Sequence, residues 1–415
     1  MHKIIAALLA ATPGAAMAQA PAPLLTLEQA IAAAGGSAPA NEAAAAGLQA
    51  AQAARTVAGL RPNPTLQTNV ENVTGTGPYG GFRSAETTVS FSVPIELGRK
   101  RSARIAVADA QGQRARIAAA VAQADVRLQV TELYVEAVAA QRRVATARDQ
   151  LRIAGEALHA ANVRVQAGRA SPLEAQRADV TRLNMDATLE RSERLARAAQ
   201  INLARRVGGA ADARLDEGLL DRLPPALHGP DRPPHAGGTL AQAAADADLA
   251  AADAGVTLAK SQRVPDLTVG PGVRRLEVTN DTAAVVSLSL PVPLFNGGRA
   301  AVAQANAERT RAAAQRRMTA LDVEQAITDA QAEAANAATA ARTANGPALA
   351  AAQEAARIAR IGYREGKFGQ LDLLDAERTL ADTRVAAIDA LAAYQIARAR
   401  LDRLTTSAPS PEQGN

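Results

Sequence analysis

Two stretches decide the fold: VSFSVPIELGRKR, from Val89 to Arg101, and VSLSLPVPLFNGGR, from Val286 to Arg299. Each begins with strict apolar/polar alternation, breaks at proline and glycine, and hands over to a long helical pattern. Alternation at period two marks a strand with one apolar and one polar face. In the first copy Val89, Phe91, Val93 and Ile95 share a face opposite Thr88, Ser90 and Ser92. In the second, Val286, Leu288, Leu290 and Val292 oppose Ser287 and Ser289.

The surroundings of these stretches are duplicated too. Upstream, Thr26-Leu27-Glu28-Gln29 recurs as Thr239-Leu240-Ala241-Gln242, each a Thr-x-x-Gln capping box that opens a helix. The first strand of each pair is weaker: Leu66, Thr68 and Val70 alternate with Thr65, Gln67, Asn69 and Glu71, and Leu267, Val269 and Val273 oppose Thr268 and Arg274. Pro271-Gly272 interrupts the latter and predicts a bulge or an edge. Downstream, two helices are joined at a turn around Gly168 in one copy and Gly366 in the other. The offset between copies drifts only from 213 (Thr26 to Thr239) to 198 (Gln166 to Arg364), so the chain is an internal duplication. The expected layout is a first repeat at 19–207, with a strand pair at about 64–95 and a helical hairpin at about 98–207. A proline-rich surface linker follows at 208–238. The second repeat covers 239–404, with a strand pair at about 266–293 and a hairpin at about 298–404, and 405–415 is read as a disordered tail.

MHKIIAALLAATPGAAMAQA reads as a secretory signal peptide over residues 1–18: Lys3, a short apolar run, and a small-residue cleavage site. The run is far short of the roughly 20 apolar residues that span a bilayer. No cysteine occurs, which excludes disulfides and thiolate metal sites. The hydrophobic fraction of 48% is mostly alanine and aromatics are 2%, a composition for long helices packed along small-residue seams rather than for an enzyme with a thick core. The net charge of +5 comes from arginines alternating with acids along helices, which does not suit nucleic-acid binding.

Two readings compete for the strands. One is a β-sandwich; the other is a transmembrane barrel with apolar residues toward lipid and polar ones toward a water-filled lumen. Four strands cannot close a barrel, and an open edge in lipid leaves backbone groups without partners. A barrel therefore requires several copies, and three copies, supplying twelve strands, are the smallest number expected to leave a pore. The loop Thr74–Gly81 and the turn Thr279–Thr282 would then lie outside the cell.

The helices are long enough to carry such a tube onward. Val130, Ala137, Val144, Leu151, Leu158 and Val165 recur every seven residues, with Leu133, Ala140, Ala147, Ala154 and Ala161 between them. The second repeat offers Ile327, Ala334, Ala341, Ala348 and Ala355, and a return helix with Leu373, Leu380, Ala387, Tyr394 and Leu401. Sustained heptads predict coiled-coil packing, and Gly346-Pro347 should kink the second rod.

With these elements in hand, the chain resembles the TolC-type outer-membrane efflux protein family over essentially its whole mature length. LTLEQAI at Leu25, RPNPTL at Arg61, PIELGRKR at Pro94, PLFNGGR at Pro293 and YREGKFGQLDLLDAERTL at Tyr363 carry the resemblance. RPNPTL, ENVTG and PIELGRKRSAR together look like the branch serving heavy-metal (cobalt–zinc–cadmium) efflux. The resemblance implies a mainly α protein with a transmembrane β part: a homotrimer whose twelve-stranded outer-membrane barrel continues into a long periplasmic α-helical barrel. It implies a passive duct, docked to a periplasmic adaptor and an inner-membrane RND pump, held by outer-membrane lipid. A drug-efflux or type I secretion duct, and a periplasmic coiled-coil scaffold, stand as alternatives.

Asp372 and Asp375 match the family's acidic pair at the periplasmic constriction, and their i, i+3 spacing shares a helical face. Acids in a first helical turn also complement the helix dipole without further purpose. The first repeat keeps Glu174 but has Arg177 where Asp375 would align. Gly168, Arg169, Ser171, Tyr363, Gly366, Lys367 and Gly369 are the candidate adaptor-docking turns. His2, His159, His228 and His235 show no metal-ligand spacing. With no nucleophile–base pair or phosphate loop, neither a cofactor nor an enzymatic activity is expected.

Overall fold

The computed structural model describes residues 24–209, 213–227, 229–230 and 234–409, so the signal peptide and His228 lie outside the described residues. The first repeat runs β1 (Leu24–Leu25), α1 (Leu27–Ser37), α2 (Pro39–Ala58), β2 (Thr65–Glu71), β3 (Glu86–Ile95), α3 (Lys100–Gln166) and α4 (Pro172–Val207). After β4 (Arg214–Leu215) the second runs α5 (Leu240–Ser261), β5 (Leu267–Leu276), β6 (Asp281–Ser289), α6 (Arg299–Thr343), α7 (Leu349–Arg364) and α8 (Gln370–Leu404).

The two helix starts differ in detail. Thr26 closes a full capping box: its hydroxyl accepts from the Gln29 N–H (3.3 Å), and Gln29 Oε1 accepts from the Thr26 N–H (3.0 Å). The second box is only half made. Thr239 accepts from the Gln242 N–H, but its own N–H donates to the Ala236 carbonyl (3.3 Å), and Gln242 turns to Asp246 instead. Gly237 and Gly238 fold back here, which supplies the acceptor that Gln242 was expected to provide.

β2, β3, β5 and β6 form one antiparallel sheet in that order, so the repeats meet at its centre through β3 and β5. Its apolar side is exposed: Leu66, Phe91, Val286 and Leu288 stand open, while Thr88 and Ser92 on the opposite side are buried. That is the inverse of a sandwich half. The Pro271-Gly272 expectation needs correction. β5 is a central strand, and its pairing with β3 lapses at Gly270 and Pro271 yet resumes in the same register, from Ser90↔Gly272 to Val93↔Val269. The missing proline N–H removes rungs of the ladder without inserting a residue.

α3 is one unbroken helix of 67 residues, roughly 100 Å long. Its expected seam is buried at Val130, Ala137, Ala140, Val144, Ala147, Ala154 and Ala161. The second rod is interrupted, at Gly346-Pro347, by a π-turn over Ala344–Ala348 in which Gly346 leaves helical geometry (φ −106°, ψ −108°). The extra residue shifts the heptad. Below it the buried positions are Ala352, Ala356, Ala359 and Tyr363, with Leu349 packed beside them, whereas Ala348 and Ala355, expected on the seam, are not buried.

The main core lies midway along the rods, around the fully buried Tyr134 of α3. Its hydroxyl donates to the Leu25 carbonyl (2.7 Å) and accepts from the Asp216 N–H (3.0 Å), tying α3 to the parallel pair β1–β4. Burial pushes the phenol up to about 12. The segment between the repeats is therefore more than a surface linker: Leu215 and Leu220 are buried in this core because the amphipathic RLDEGLL has an apolar face of its own. Likewise Thr405–Pro409, read as the start of a disordered tail, is paired with the start of the second repeat: Thr239 bridges Ser407, and Ala408 N–H donates to Gly238 O (2.8 Å).

Candidate functional site at the helical tips

Both hairpins turn at the end of the rods farthest from the sheet. At the first tip Gly168 takes a left-handed conformation (φ 69°), and the Arg169 N–H reaches back to the Arg164 carbonyl (2.8 Å), closing α3. Ser171 starts α4, its hydroxyl accepting from the Leu173 N–H (3.3 Å). At the second tip Gly366 (φ 72°) takes the same role, and the Lys367 N–H bonds the Gly362 carbonyl (2.8 Å). A Cβ on Gly362 would stand 2.1 Å from the Phe368 ring, so the ring packs this closely on α7 only because position 362 is glycine.

The anticipated residues separate into three groups. Gly168, Arg169, Ser171, Gly366, Lys367 and Gly369 sit in the two turns, Arg169 and Lys367 exposed. Tyr363, 8% exposed, packs with Ala359 and Leu373 instead of standing free on the turn, because the π-turn has rotated it onto the seam. Asp372 and Asp375 are both exposed. Asp372 accepts from the Gly369 N–H (2.9 Å), capping α8, while Asp375 lines a cavity between the hairpins.

Glu174 is where the tips join. Its carboxylate accepts from the Tyr363 hydroxyl (3.0 Å), its main-chain oxygen accepts from Gln370 Nε2 (3.2 Å), and Arg164 Nε lies 3.7 Å away. The Arg164 guanidinium also covers the Tyr363 ring, 5.0 Å from its centroid. Burial and the Glu174 carboxylate raise the Tyr363 hydroxyl above the usual phenol value, against Arg164, so it stays a donor. Sequence alone does not single out Arg164 or Gln370: the contact of Gln370 with Glu174 spans 196 residues and leaves no periodic trace.

Above this clasp the hairpins part around a cavity of about 1970 Å³ lined by α3, α4, α7 and α8. Its walls are ion-paired. Asp149 of α3 bonds Arg384 of α8 (2.7 Å) and Arg152 (2.6 Å), and Arg143 reaches Asp389 (2.8 Å). Burial would raise the Asp149 carboxyl, but Arg152 and Arg384 outweigh it and hold it below the usual range. Glu377, 5% exposed, is gripped by Arg360 through both carboxylate oxygens. Among the described residues no group of three His, Asp or Glu side chains could hold a metal ion, and His159 and His235 are exposed.

An outward-apolar sheet continuous with two helical hairpins is the protomer of an outer-membrane efflux channel. The chain belongs to the outer membrane efflux protein family, whose sequence model matches residues 30–209 and 240–407. It is 32% identical over 388 residues to the cobalt-zinc-cadmium resistance protein CzcC of Cupriavidus metallidurans, covering 92% of this chain and 90% of that one. It is 30% identical over 306 residues to the nickel-cobalt-cadmium resistance protein NccC of Alcaligenes xylosoxydans xylosoxydans, covering 71% and 66%. Among solved structures, the outer membrane protein VceC of Vibrio cholerae superposes with a TM-score of 0.73 at 20% identity over 91% of this chain and 95% of that one. The channel CusC superposes with a TM-score of 0.71 at 16% identity, over 92% of each.

Proposed function

We propose that three copies of this chain close a twelve-stranded outer-membrane barrel and that their hairpins form a periplasmic conduit. This conduit passively conducts divalent heavy-metal cations delivered by an RND pump through an adaptor. The observation that carries this is the sheet: its apolar face is open, Thr88 and Ser92 at the centre of its polar face are shielded, and among the described residues both edges, β2 and β6, are unpaired. Joining β6 of one copy to β2 of the next satisfies the edges that lipid would not tolerate. The metal class rests on the two resistance proteins at about one-third identity.

In this reading the exposed turns meet the adaptor. The Glu174–Tyr363 clasp holds the two tips together in the narrow state, and Asp372 and Asp375 place carboxylates on the cation path. The chain transports without catalysing a reaction. The purified protein is expected to form cation-conducting pores in planar bilayers, and deleting the gene to sensitise cells to zinc, cobalt or cadmium. Metal tolerance unchanged alongside drug hypersensitivity would defeat the metal assignment, and a chain soluble without detergent would defeat the channel.

A further inference from the structure

On the helical side of the sheet each strand is flanked by an arginine: Arg61, Arg99 and Arg263 lie four residues from β2, β3 and β5, and Arg299, ten residues after β6, opens α6. All four are exposed, and among the described residues none has an acidic partner. The only carboxylates in these junctions, Glu96 and Asp266, are already taken by Arg104 and Lys100. Over residues 59–64, 95–104, 260–266 and 294–299 there are eight Lys or Arg against two acids. This surplus of six exceeds the net charge of the whole chain, +5. The opposite end of the sheet is built differently: 71–86 and 274–281 hold three arginines and four acids, and Arg274 bridges Glu71 (3.3 Å) and Glu86 (2.8 Å).

Two further observations point to what the basic end meets. Exposed apolar side chains sit beside the arginines, namely Leu60, Leu97, Val264, Leu294 and the fully exposed Phe295. Charged heads interleaved with apolar groups suit a membrane interface. The ten-residue strand β3, tilted as barrel strands are, spans a height close to the ~25 Å apolar band, which puts this end at headgroup level. Arg99 also holds a left-handed backbone (φ 59°) where the second repeat uses Gly298 (φ 70°). An arginine kept at a position that favours glycine carries a backbone cost, and folding alone does not require it.

We infer that this collar binds the phosphate groups of anionic phospholipids in the membrane leaflet facing the helical barrel. The inference rests on the channel reading above, and it assigns a lipid partner to a surface outside the tips. The test reconstitutes the full chain into phosphatidylcholine bilayers carrying spin-labelled phosphatidylglycerol or spin-labelled phosphatidylcholine, and compares the motionally restricted fractions. Phosphatidylglycerol should be favoured roughly five-fold, from the attraction of one surface arginine, and the preference should fade at high salt. It should disappear in Arg61→Gln/Arg99→Gln/Arg263→Gln/Arg299→Gln.

Should that variant fail to assemble, Arg99→Gly decides. It relieves the left-handed backbone, so heat stability should hold or rise while the preference falls. Equal association of the two lipids, or a preference untouched by either variant, overturns the inference. Displacement by inorganic phosphate at constant ionic strength would overturn the lipid assignment in favour of free phosphate. Pores that conduct without lipid preference leave the channel reading standing, whereas absence of pores removes that reading first.

Discussion

The two rods descend from one duplicated unit but treat their length differently. α3 is one unbroken helix of 67 residues that holds its heptad seam from Val130 to Ala161, whereas its counterpart spends one extra residue at the π-turn and continues as α7 with its seam moved by one position. The tips follow suit. The first supplies an acceptor, Glu174; the second supplies the donors, Tyr363 and Gln370, and reaches them only because of that shift. One rod is a fixed reference and the other is tuned against it.

Deletions put this contrast under the greatest strain. Removing Gly155 from α3, where a side chain would touch nothing, should rotate Leu158, Ala161 and Val165 off the seam. It should cost on the order of several kcal/mol, seen as a large drop in the detergent melting temperature. Removing Gly346 instead takes out the extra residue, which should carry Ala352, Ala356 and Tyr363 off the seam and break the Glu174–Tyr363 clasp, so melting should fall there too. A deletion of Gly346 paired with an insertion of one alanine after Pro347 should restore it. Melting left unchanged by the Gly346 deletion would refute the register account.

The core offers the next test, at the buried Tyr134. The fold favours its neutral form, so its contribution is complete below pH 10 and is lost as pH rises through about 12. Tyr134→Phe should flatten that alkaline decline while costing about 1–3 kcal/mol at neutral pH from its two lost hydroxyl bonds, which leave the Asp216 N–H and the Leu25 carbonyl paired with each other alone (3.2 Å). At the tips, Glu174→Ala should raise unitary conductance and lower stability by about 1.5–3 kcal/mol, with Tyr363→Phe weaker in the same direction. Asp372→Asn keeps an oxygen that can accept from the Gly369 N–H and should cost about 0.3–1 kcal/mol from the lost charge at the helix start, and both it and Asp375→Asn should weaken cation block. The smallest effect belongs to Asp149. Its depressed pKa gives stability that is present above its ordinary value of 3.8 and lost as pH falls below it, and Asp149→Asn should erase that acid dependence in melts.

Periodic features were legible in the sequence. Val89 and Val286 announced the strands, the Ala137-to-Ala161 seam announced the coiled coil, and the turns at Gly168 and Gly366 located the tips. What escaped notice depends on phase or on distance. A proline announces a kink but not how many residues the kink absorbs, so Ala348 and Ala355 were placed where Leu349 and Ala356 belong. Tyr363 looked like a turn residue beside Gly366 until that same phase shift buried it. Leu215 and Leu220 lay in a proline-rich stretch whose short apolar face is too brief to show a period.

The sheet carries one more implication. Inside the chain, the second strand of one repeat, β3, pairs with the first strand of the next, β5. On the proposed assembly β6 meets β2 of a neighbouring copy, which is again a second strand meeting a first. Every joint around the ring would then be of one kind, half of them made within chains and half between them. Cutting the chain between its repeats would leave six half-length pieces presenting the same joint six times, so the ring reads as a hexamer of half-chains whose peptide link fixed the partners in pairs.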